Sequence, residues 1–342
     1  MSHPPLPTLD DVARAAGVST ATVSRCLNKS GKVTEDTRAR VMQAVTDLGY
    51  TPNFSARALA AKRTFTIGAI VPTMANDIFA RGLQAFQEVL NANGYTLLVS
   101  STSYDPDREA EQIRTLIARG ADGLLLIGYD RDPAIYDVLD ARGVPYVLSW
   151  AHRAAAPQPA IGFNNEDAMY AMTKAVLGLG HRKIAVISGI SQGNDRAADR
   201  VAGVRRAMTD AGLDPSTAPV IETPYGFDTG ATVFADLMDA PIRPTAVLCI
   251  NDVLAAGALM QAQTMGFSVP DDVSITGFDD IELARLVTPN LTTVHVPHRE
   301  MGRRAAEDLV ARIETGQPAD HSPLPSTLRL RASLGPPPNA DT

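Results

Sequence analysis

The 342-residue chain is short of cysteine, of aromatic residues and of long apolar runs, and each shortage excludes a class of protein. Its two cysteines, Cys26 and Cys249, stand far apart in segments of different kinds. No disulfide framework is expected, and a reducing cytoplasm fits. No apolar run approaches the ~18 residues that a membrane-spanning helix needs. The opening MSHPPLPTLDD lacks the basic start and apolar core of a secretory signal. The dinucleotide fingerprint Gly-x-Gly-x-x-Gly and the phosphate loop Gly-x-x-x-x-Gly-Lys-Ser/Thr do not occur, and no nucleophile elbow is expected. Histidines at 3, 152, 181, 295, 298 and 321 are scattered, with none spaced from a cysteine as metal ligands would be. His295 and His298 are read as structural. An acid/base role for the adjacent pair Asp279-Asp280 is set aside, because neighbours on one short loop rarely converge on one substrate atom. Neither a metal, a cofactor nor a catalytic set is therefore expected. With 45% hydrophobic and 20% charged residues the chain has globular composition, and its length suits two or three domains.

What is present begins with an uneven charge. Residues 1–63 hold nine basic against five acidic residues, a local +4, while the remainder holds 22 against 33, or −11. A small basic head on a large acidic body suggests a polyanion-binding module joined to something else. The first fifty residues predict three short helices. Thr8 and Asp11 have the spacing of a capping box, with Leu9, Val12, Ala13 and Ala16 following at helical spacing and Gly17 ending the helix. Ser19 caps a second helix to about Asn28, with Val23 and Leu27 on one face and Thr20, Ala21, Ser24 and Arg25 on another. Thr34 caps a third, whose apolar stripe is Val41, Ala44, Val45 and Leu48. Two helices joined by a turn of about three residues containing glycine have the helix-turn-helix pattern, whose second helix can enter the DNA major groove. Arginine can bond guanine in bidentate fashion there, and small residues can meet a thymine methyl. A plain three-helix bundle with a solvated polar face is the competing reading.

Residues 51–63 follow as Thr-Pro-Asn-Phe-Ser-Ala-Arg-Ala-Leu-Ala-Ala-Lys-Arg. Pro52 breaks the preceding helix and Asn53 can cap a new one, too short to be stable alone in water. Leu59 has basic neighbours at Arg57, Lys62 and Arg63. An apolar wedge flanked by cations suits a kinked minor groove. A flexible linker with an incidental leucine is the alternative.

The run LDDVARAAGVSTATVSRCLN…VTEDTRARVMQAVTDLGYTPNFSARALA resembles the lactose-repressor/galactose-repressor (LacI/GalR) family of bacterial transcription regulators, and the resemblance continues to about residue 330. It implies base-reading roles for Thr20, Ala21 and Arg25, a hinge helix over 53–61, and Leu59 as the wedge. Ala60 stands where some members carry lysine. The DNA-contacting set so implied is Thr8, Ser19, Thr20, Ala21, Thr22, Ser24, Arg25, Asn28, Thr34, Tyr50, Asn53, Ala56, Leu59 and Ala60.

Beyond residue 64 apolar strands alternate with amphipathic helices. Strands are predicted at 67–71, 95–100, 123–127, 145–150, 183–188, 218–222, 246–250 and 274–278. Helices are predicted near 79–91, 109–117, 135–141, 166–179, 199–211, 229–238 and 253–265. Continuous apolar strands of this kind belong to parallel sheets covered on both faces, and there are too many for one ordinary sheet. The fold class expected is an all-α helix-turn-helix DNA-binding head plus an α/β core of two doubly wound parallel-sheet subdomains. Ligands of such sheets sit beyond the strand ends, where two facing halves make a cleft. The residues just after strands include Asn76, Asp77, Phe79, Tyr129, Asp130, Trp150, Arg196, Arg200, Tyr225, Phe227, Asn251, Asp252, Asp279 and Asp280. Rings that cover an apolar face, with amides, carboxylates and arginine to pair hydroxyls, suit a polyhydroxylated ligand. Ordinary loop polarity or helix capping is the reading each faces singly.

The resemblance implies a periplasmic-binding-protein-like (type I) core. It assigns effector contacts to Asp77, Phe79, Tyr129, Trp150, Arg200, Tyr225, Asn251 and Asp279. Trp150 stands where several sugar-binding members have aspartate, and Asn164-Asn165 replaces the common Asp-Asn pair. The domains expected are a head over 1–50, a hinge over 51–63 and a core over 64–330. Within the core, 64–155 is grouped with 281–296, and 156–280 with 297–330. Residues 331–342 are expected to be a disordered tail. The function expected is a ligand-responsive, sequence-specific transcription regulator of the repressor kind, cytoplasmic and homodimeric. Its partners would be a palindromic DNA operator and a sugar or sugar-acid effector. The rival readings are a solute-binding protein for transport, which would need a secretion signal and no head, and a sugar-converting α/β enzyme, for which no catalytic constellation is found.

Overall fold

The computed structural model describes residues 7–27, 33–51, 63–318 and 321–338. Its contacts divide the chain into two units, Met1–Thr64 and Phe65–Thr342. The first holds α1 (Leu9–Ala16), α2 (Thr20–Leu27) and α3 (Glu35–Leu48). Thr8 caps α1 in the expected box, accepting from the Asp11 N–H while the Asp11 carboxylate accepts from the Thr8 N–H. Gly17 ends α1 at φ 64°, the left-handed conformation that turns the chain into α2. Val12, Ala13, Ala16, Val23, Cys26, Val41 and Ala44 form a small core. Two arginines of α3 satisfy carbonyls at the ends of the other helices: Arg38 donates to Cys26 O at 2.9 Å and Arg40 to Ala16 O at 3.4 Å.

The second unit opens as a doubly wound half: β1 (Thr66–Val71), α4 (Asp77–Ala92), β2 (Thr96–Ser101), α5 (Pro106–Ala118), β3 (Gly123–Ile127), α6 (Pro133–Arg142), β4 (Tyr146–Ser149) and β5 (Ala160–Ile161). These strands are parallel in the order β2-β1-β3-β4-β5. β1, β3 and β4 are buried along almost their whole length, which is why they read as continuous apolar runs. A second half repeats the scheme with α7 (Asn165–Gly178), β6 (Ile184–Gly189), α8 (Asp195–Asp210), β7 (Val220–Thr223), α9 (Phe227–Asp239), β8 (Ala246–Cys249), α10 (Asp252–Thr264) and β9 (Ser274–Thr276). Its sheet order is β7-β6-β8-β9, again parallel. Then come α11 (Leu283–Leu286), β10 (Thr293–His295), α12 (His298–Thr315) and β11 (Thr327–Arg329), with β10 and β11 antiparallel.

The last hundred residues correct two expectations. Residues 281–296 go with the second half, not the first. α11 packs on α10, and single bridges join Thr276 to Thr292 and Asp279 to His295. α12 goes with the first half, packing on α4 and on β3, β4 and β5, while β11 returns to the second. An amphipathic helix fits either half by its pattern alone, and the deciding detail is a backbone approach. A Cβ on Gly302 of α12 would stand 1.9 Å from the Gly82 carbonyl of α4, so the two helices cross where neither has a side chain. The tail is also ordered as far as it is described. The Ser333 side chain is fully buried, donating to Ile275 O at 2.6 Å and accepting from Thr292 N–H at 2.8 Å. Gly335 O meets His181 Nε2 at 2.8 Å. A serine that satisfies backbone groups along a sheet edge outweighs the local proline-rich composition. Among the described residues both cysteines are free and buried, and no helix is long and apolar enough to cross a membrane.

Two glycine substitutions test this packing. Gly302→Ala must push α4 and α12 apart and is expected to cost about 1–3 kcal/mol in chemical denaturation. Gly178→Ala, at an exposed helix position with nothing within 4 Å of the new carbon, is expected to be neutral or stabilising by about 0.5 kcal/mol. Equal effects from the two would contradict the close crossing.

Candidate functional site

In the head, α2 turns Val23 and Cys26 inward and leaves Ala21 and Arg25 exposed, with Thr20, Thr22 and Ser24 half-buried. Arg25 makes no hydrogen bond or ion pair to any described residue, unlike Arg38 and Arg40, which are occupied with carbonyls. Several of the expected DNA-contacting hydroxyls are helix caps. Thr8 holds Asp11, Thr34 accepts from Thr37 N–H, and Ser19 accepts from Thr22 N–H at 3.2 Å while its oxygen lies 2.9 Å from Thr22 Oγ1. Tyr50 is half-buried against the head's core. Asn28, Asn53, Ala56, Leu59 and Ala60 lie outside the described residues.

In the core, the strand ends of the two halves face one another across a cleft. One narrow space is lined by Asn76, Ile78, Phe79, Tyr104 and Trp150 of the first half. From the second half it is lined by Asn194, Arg196, Arg200, Tyr225, Asn251 and Asp279. Six of the eight residues expected to touch an effector are thus brought together: Phe79, Trp150, Arg200, Tyr225, Asn251 and Asp279. Two are not. Asp77 is exposed at the start of α4 and pairs with Arg81. Tyr129 packs into the first half's core instead, with its hydroxyl accepting from the Arg153 backbone N–H at 3.1 Å. The lining also holds Tyr104 and Asn194, which the sequence reading missed. Both follow strands, at the ends of β2 and β6, so the same post-strand rule applied to every strand would have found them.

The aromatic walls are paired. Phe79 and Trp150 lie with ring centres 5.3 Å apart, and Tyr104 and Tyr225 reach across the cleft at 5.6 Å. Trp150, Tyr104 and Asp279 have φ of 62°, 63° and 106°, a region side-chain-bearing residues rarely enter. Such strain persists only where surrounding structure enforces it, and it gathers at ligand sites.

Arg200 is the polar centre. It donates to Asn165 Oδ1 at 2.9 Å and Ile250 O at 2.6 Å, lies 3.5 Å from Asp279 Oδ1, and stacks 3.7 Å from the Phe278 ring centre. Asn165, absent from the expected set, donates in turn to Trp150 O at 3.0 Å and so ties the guanidinium to the opposite wall. Burial raises the Asp279 carboxyl to about 6, although Arg200 draws it back down. His298 Nε2 lies 3.2 Å from Asp279 O, and burial pushes this imidazole down to about 3. It is therefore neutral, with the Nε2 proton donated to the carbonyl. Burial likewise holds Asp252 well above the carboxylate range, where it accepts from Thr293 Oγ1 and Ile281 N–H and props the turn that carries Asp279. Asn251 caps α10 through its oxygen, which leaves its NH2 as a donor.

One sequence expectation needs correction. Gly189-Ile190-Ser191-Gln192-Gly193 does have the form Gly-x-Ser-x-Gly. It serves no triad: among the described residues no histidine is hydrogen-bonded to Ser191, and His181, His295, His298 and His321 are held by Thr245, Asp280, Asp279 and Asp308 instead. Among the described residues no group of His, Cys, Asp and Glu could hold a metal ion.

Comparison with known proteins agrees with this division. Residues 8–53 match the bacterial regulatory proteins of the lacI family, and residues 173–334 match the periplasmic binding protein-like domain. The HTH-type transcriptional repressor PurR of Vibrio campbellii is 37% identical over 309 residues, 90% of this chain and 92% of that protein. The ribose operon repressor of Haemophilus influenzae is 36% identical over 310 residues, with the same shares covered. The structure of the lac repressor dimer bound to operator and the anti-inducer ONPF superposes with a TM-score of 0.84 at 28% identity, covering 96% of this chain and 99% of that one. The chain belongs to the lacI family of bacterial regulatory proteins, and is a ligand-responsive DNA-binding repressor rather than an enzyme.

Proposed function

We propose that the protein is a cytoplasmic homodimer that binds a palindromic operator and represses a carbohydrate or sugar-acid utilisation operon under the control of a sugar or sugar-acid effector. One head offers few base contacts, so two heads on a symmetric site are needed for genomic specificity. In this reading Thr20, Ala21, Ser24 and Arg25 read base edges. Thr8, Ser19, Thr22, Asn28, Thr34 and Tyr50 contact the backbone. Residues 51–63 form the hinge, whose Asn53, Ala56, Leu59 and Ala60 meet the minor groove with Leu59 as the wedge. The effector lies between Phe79, Trp150 and Tyr225, with Arg200, Asn251 and Asp279 pairing its oxygens. The observation that carries the effector assignment is the convergence of these six side chains, from both halves, on one space. A ligand that prefers one closure state of the cleft shifts the balance of states by its differential affinity, and DNA affinity changes with it.

Arg25→Ala removes the one head cation on α2 and is expected to weaken a palindrome selected from random duplexes by at least about tenfold in a gel-shift assay, the size of one bidentate base contact. Unchanged operator preference would count against the assigned face. Operator affinity should also fall linearly with salt on logarithmic axes, since phosphate contacts release counterions, and a flat response would contradict a phosphate-rich interface. For the effector, a thermal-shift screen of sugars and sugar acids identifies the ligand, because binding to the native state raises the melting temperature. Asp279 is neutral in the empty cleft below about pH 6 and ionised above it. A ligand hydroxyl donating to the carboxylate favours the ionised form, so affinity should be flat above pH 6 and decline below it. Calorimetry across pH 5–8 should show this inflection in the wild type and none in Asp279→Asn.

A further inference from the structure

Tyr129 follows a strand of the first half, and its backbone N–H donates to Asp195 Oδ2 of α8 in the second at 2.7 Å. Its ring lies 5.2 Å from the guanidinium of Arg153, and its hydroxyl accepts from the Arg153 backbone N–H. That guanidinium spans to both carboxylate oxygens of Asp199, at 3.0 and 3.2 Å, with Asp195 at 3.9 Å. Arg153 sits between β4 and β5 in the first half, while Asp195 and Asp199 occupy the first turns of α8 in the second. Every contact between these two sets therefore crosses from one half to the other.

The backbone is shaped for this closure. A Cβ on Gly128, just before Tyr129, would stand 2.1 Å from Arg196 Nη1 and 2.3 Å from Asp195 Oδ1. A Cβ on Gly193, from the opposing half, would stand 2.9 Å from the Tyr104 carbonyl. A side chain at Gly193 would press on that carbonyl and hold the halves apart, whereas one at Gly128 would displace the Arg196 and Asp195 side chains. Asp195 is also shared. Its Oδ1 accepts from Arg196 N–H at 3.0 Å and from Arg196 Nη1 at 2.9 Å, and Arg196 lines the cleft. Both Asp195 and Arg196 are buried, so this arrangement is little screened by water.

We propose that Arg153, Asp195 and Asp199 form a clasp that holds the two halves closed and, through Asp195, sets Arg196 toward the cleft. They are positioning residues: they govern how long an effector is retained without touching it. That consequence rests on the cleft being the effector site, but the clasp itself exists or fails in the empty protein.

The test uses the full chain without ligand, spin-labelled at Glu111→Cys on α5 and Asp236→Cys on α9. Both positions are exposed, and both native cysteines are buried. Pulsed electron–electron distance measurement on labelled chains diluted with unlabelled protein, so that pairs within one chain dominate, should give one short distance. Arg153→Ala and Asp199→Asn, each at a position at least partly open to solvent, should each raise the long-distance population about fivefold, the scale of one partly exposed ion pair. The charge-swapped pair R153D/D199R should restore the short distance. An unchanged distribution in the two single variants overturns the proposal, as does opening that the swapped pair fails to reverse. Because no ligand is added, the outcome is independent of whether the cleft takes a sugar.

Discussion

The buried contact between Arg200 and Asp279 organises the core. Taking a guanidinium and a carboxylate out of water is costly, and at 3.5 Å their mutual attraction repays only part of that cost. The rest comes from the carbonyl of Ile250, the amide of Asn165 and the face of Phe278. Each partner fixes a different piece of the cleft. Ile250 ends a strand of the second sheet, Asn165 reaches Trp150 in the first half, and Asp279 is gripped from behind by neutral His298 of α12. The polar groups of the cleft thus have directions that are already set, and a ligand bound there as proposed would meet them so. Ordering them has been done during folding, and little of that entropy is charged to binding.

The same residues explain how a small molecule can be felt by both halves. Sequence neighbours in this core are not always spatial partners: after β5 the chain enters the second half, α12 returns to the first, and β11 goes back to the second. Three crossings of the chain therefore connect the halves, while each keeps its own sheet. Ion pairs also span the cleft, Arg153 with Asp199 on one side and Arg81 with Glu282 on another. Such pairs have discrete made and broken states, which is the form a switch requires.

Much of this was legible in the sequence, for identifiable reasons. The strand Gly123–Ile127 was read to the residue because a buried parallel strand is an unbroken apolar run. The helix-turn-helix was legible because caps such as Thr8 and Gly17 act locally. Most of the cleft lining was legible because residues that follow the strand ends of such sheets face the opposing half. The failures share a cause as well. Which half receives α12 depends on Gly82 meeting Gly302, more than two hundred positions apart in the chain. The order around Ser333 depends on backbone groups of Ile275 and Thr292. Tyr129 obeyed the strand-end rule and still turned away, because Gly128 lets α8 come close enough to claim its backbone. Cys26, unmarked by helical pattern reading, is core because α3 covers it. Long-range complementarity of this kind has no local signature.

In a ligand-responsive repressor, effector binding and operator binding are two ends of one equilibrium. Thermodynamic linkage then requires symmetry: the factor by which effector changes operator affinity must equal the factor by which operator changes effector affinity. The direct measurement is effector binding by calorimetry to the full chain, alone and saturated with its selected operator duplex, set beside operator binding with and without effector. The account predicts one common factor, well removed from unity. Effector affinity that is the same with and without operator would contradict it.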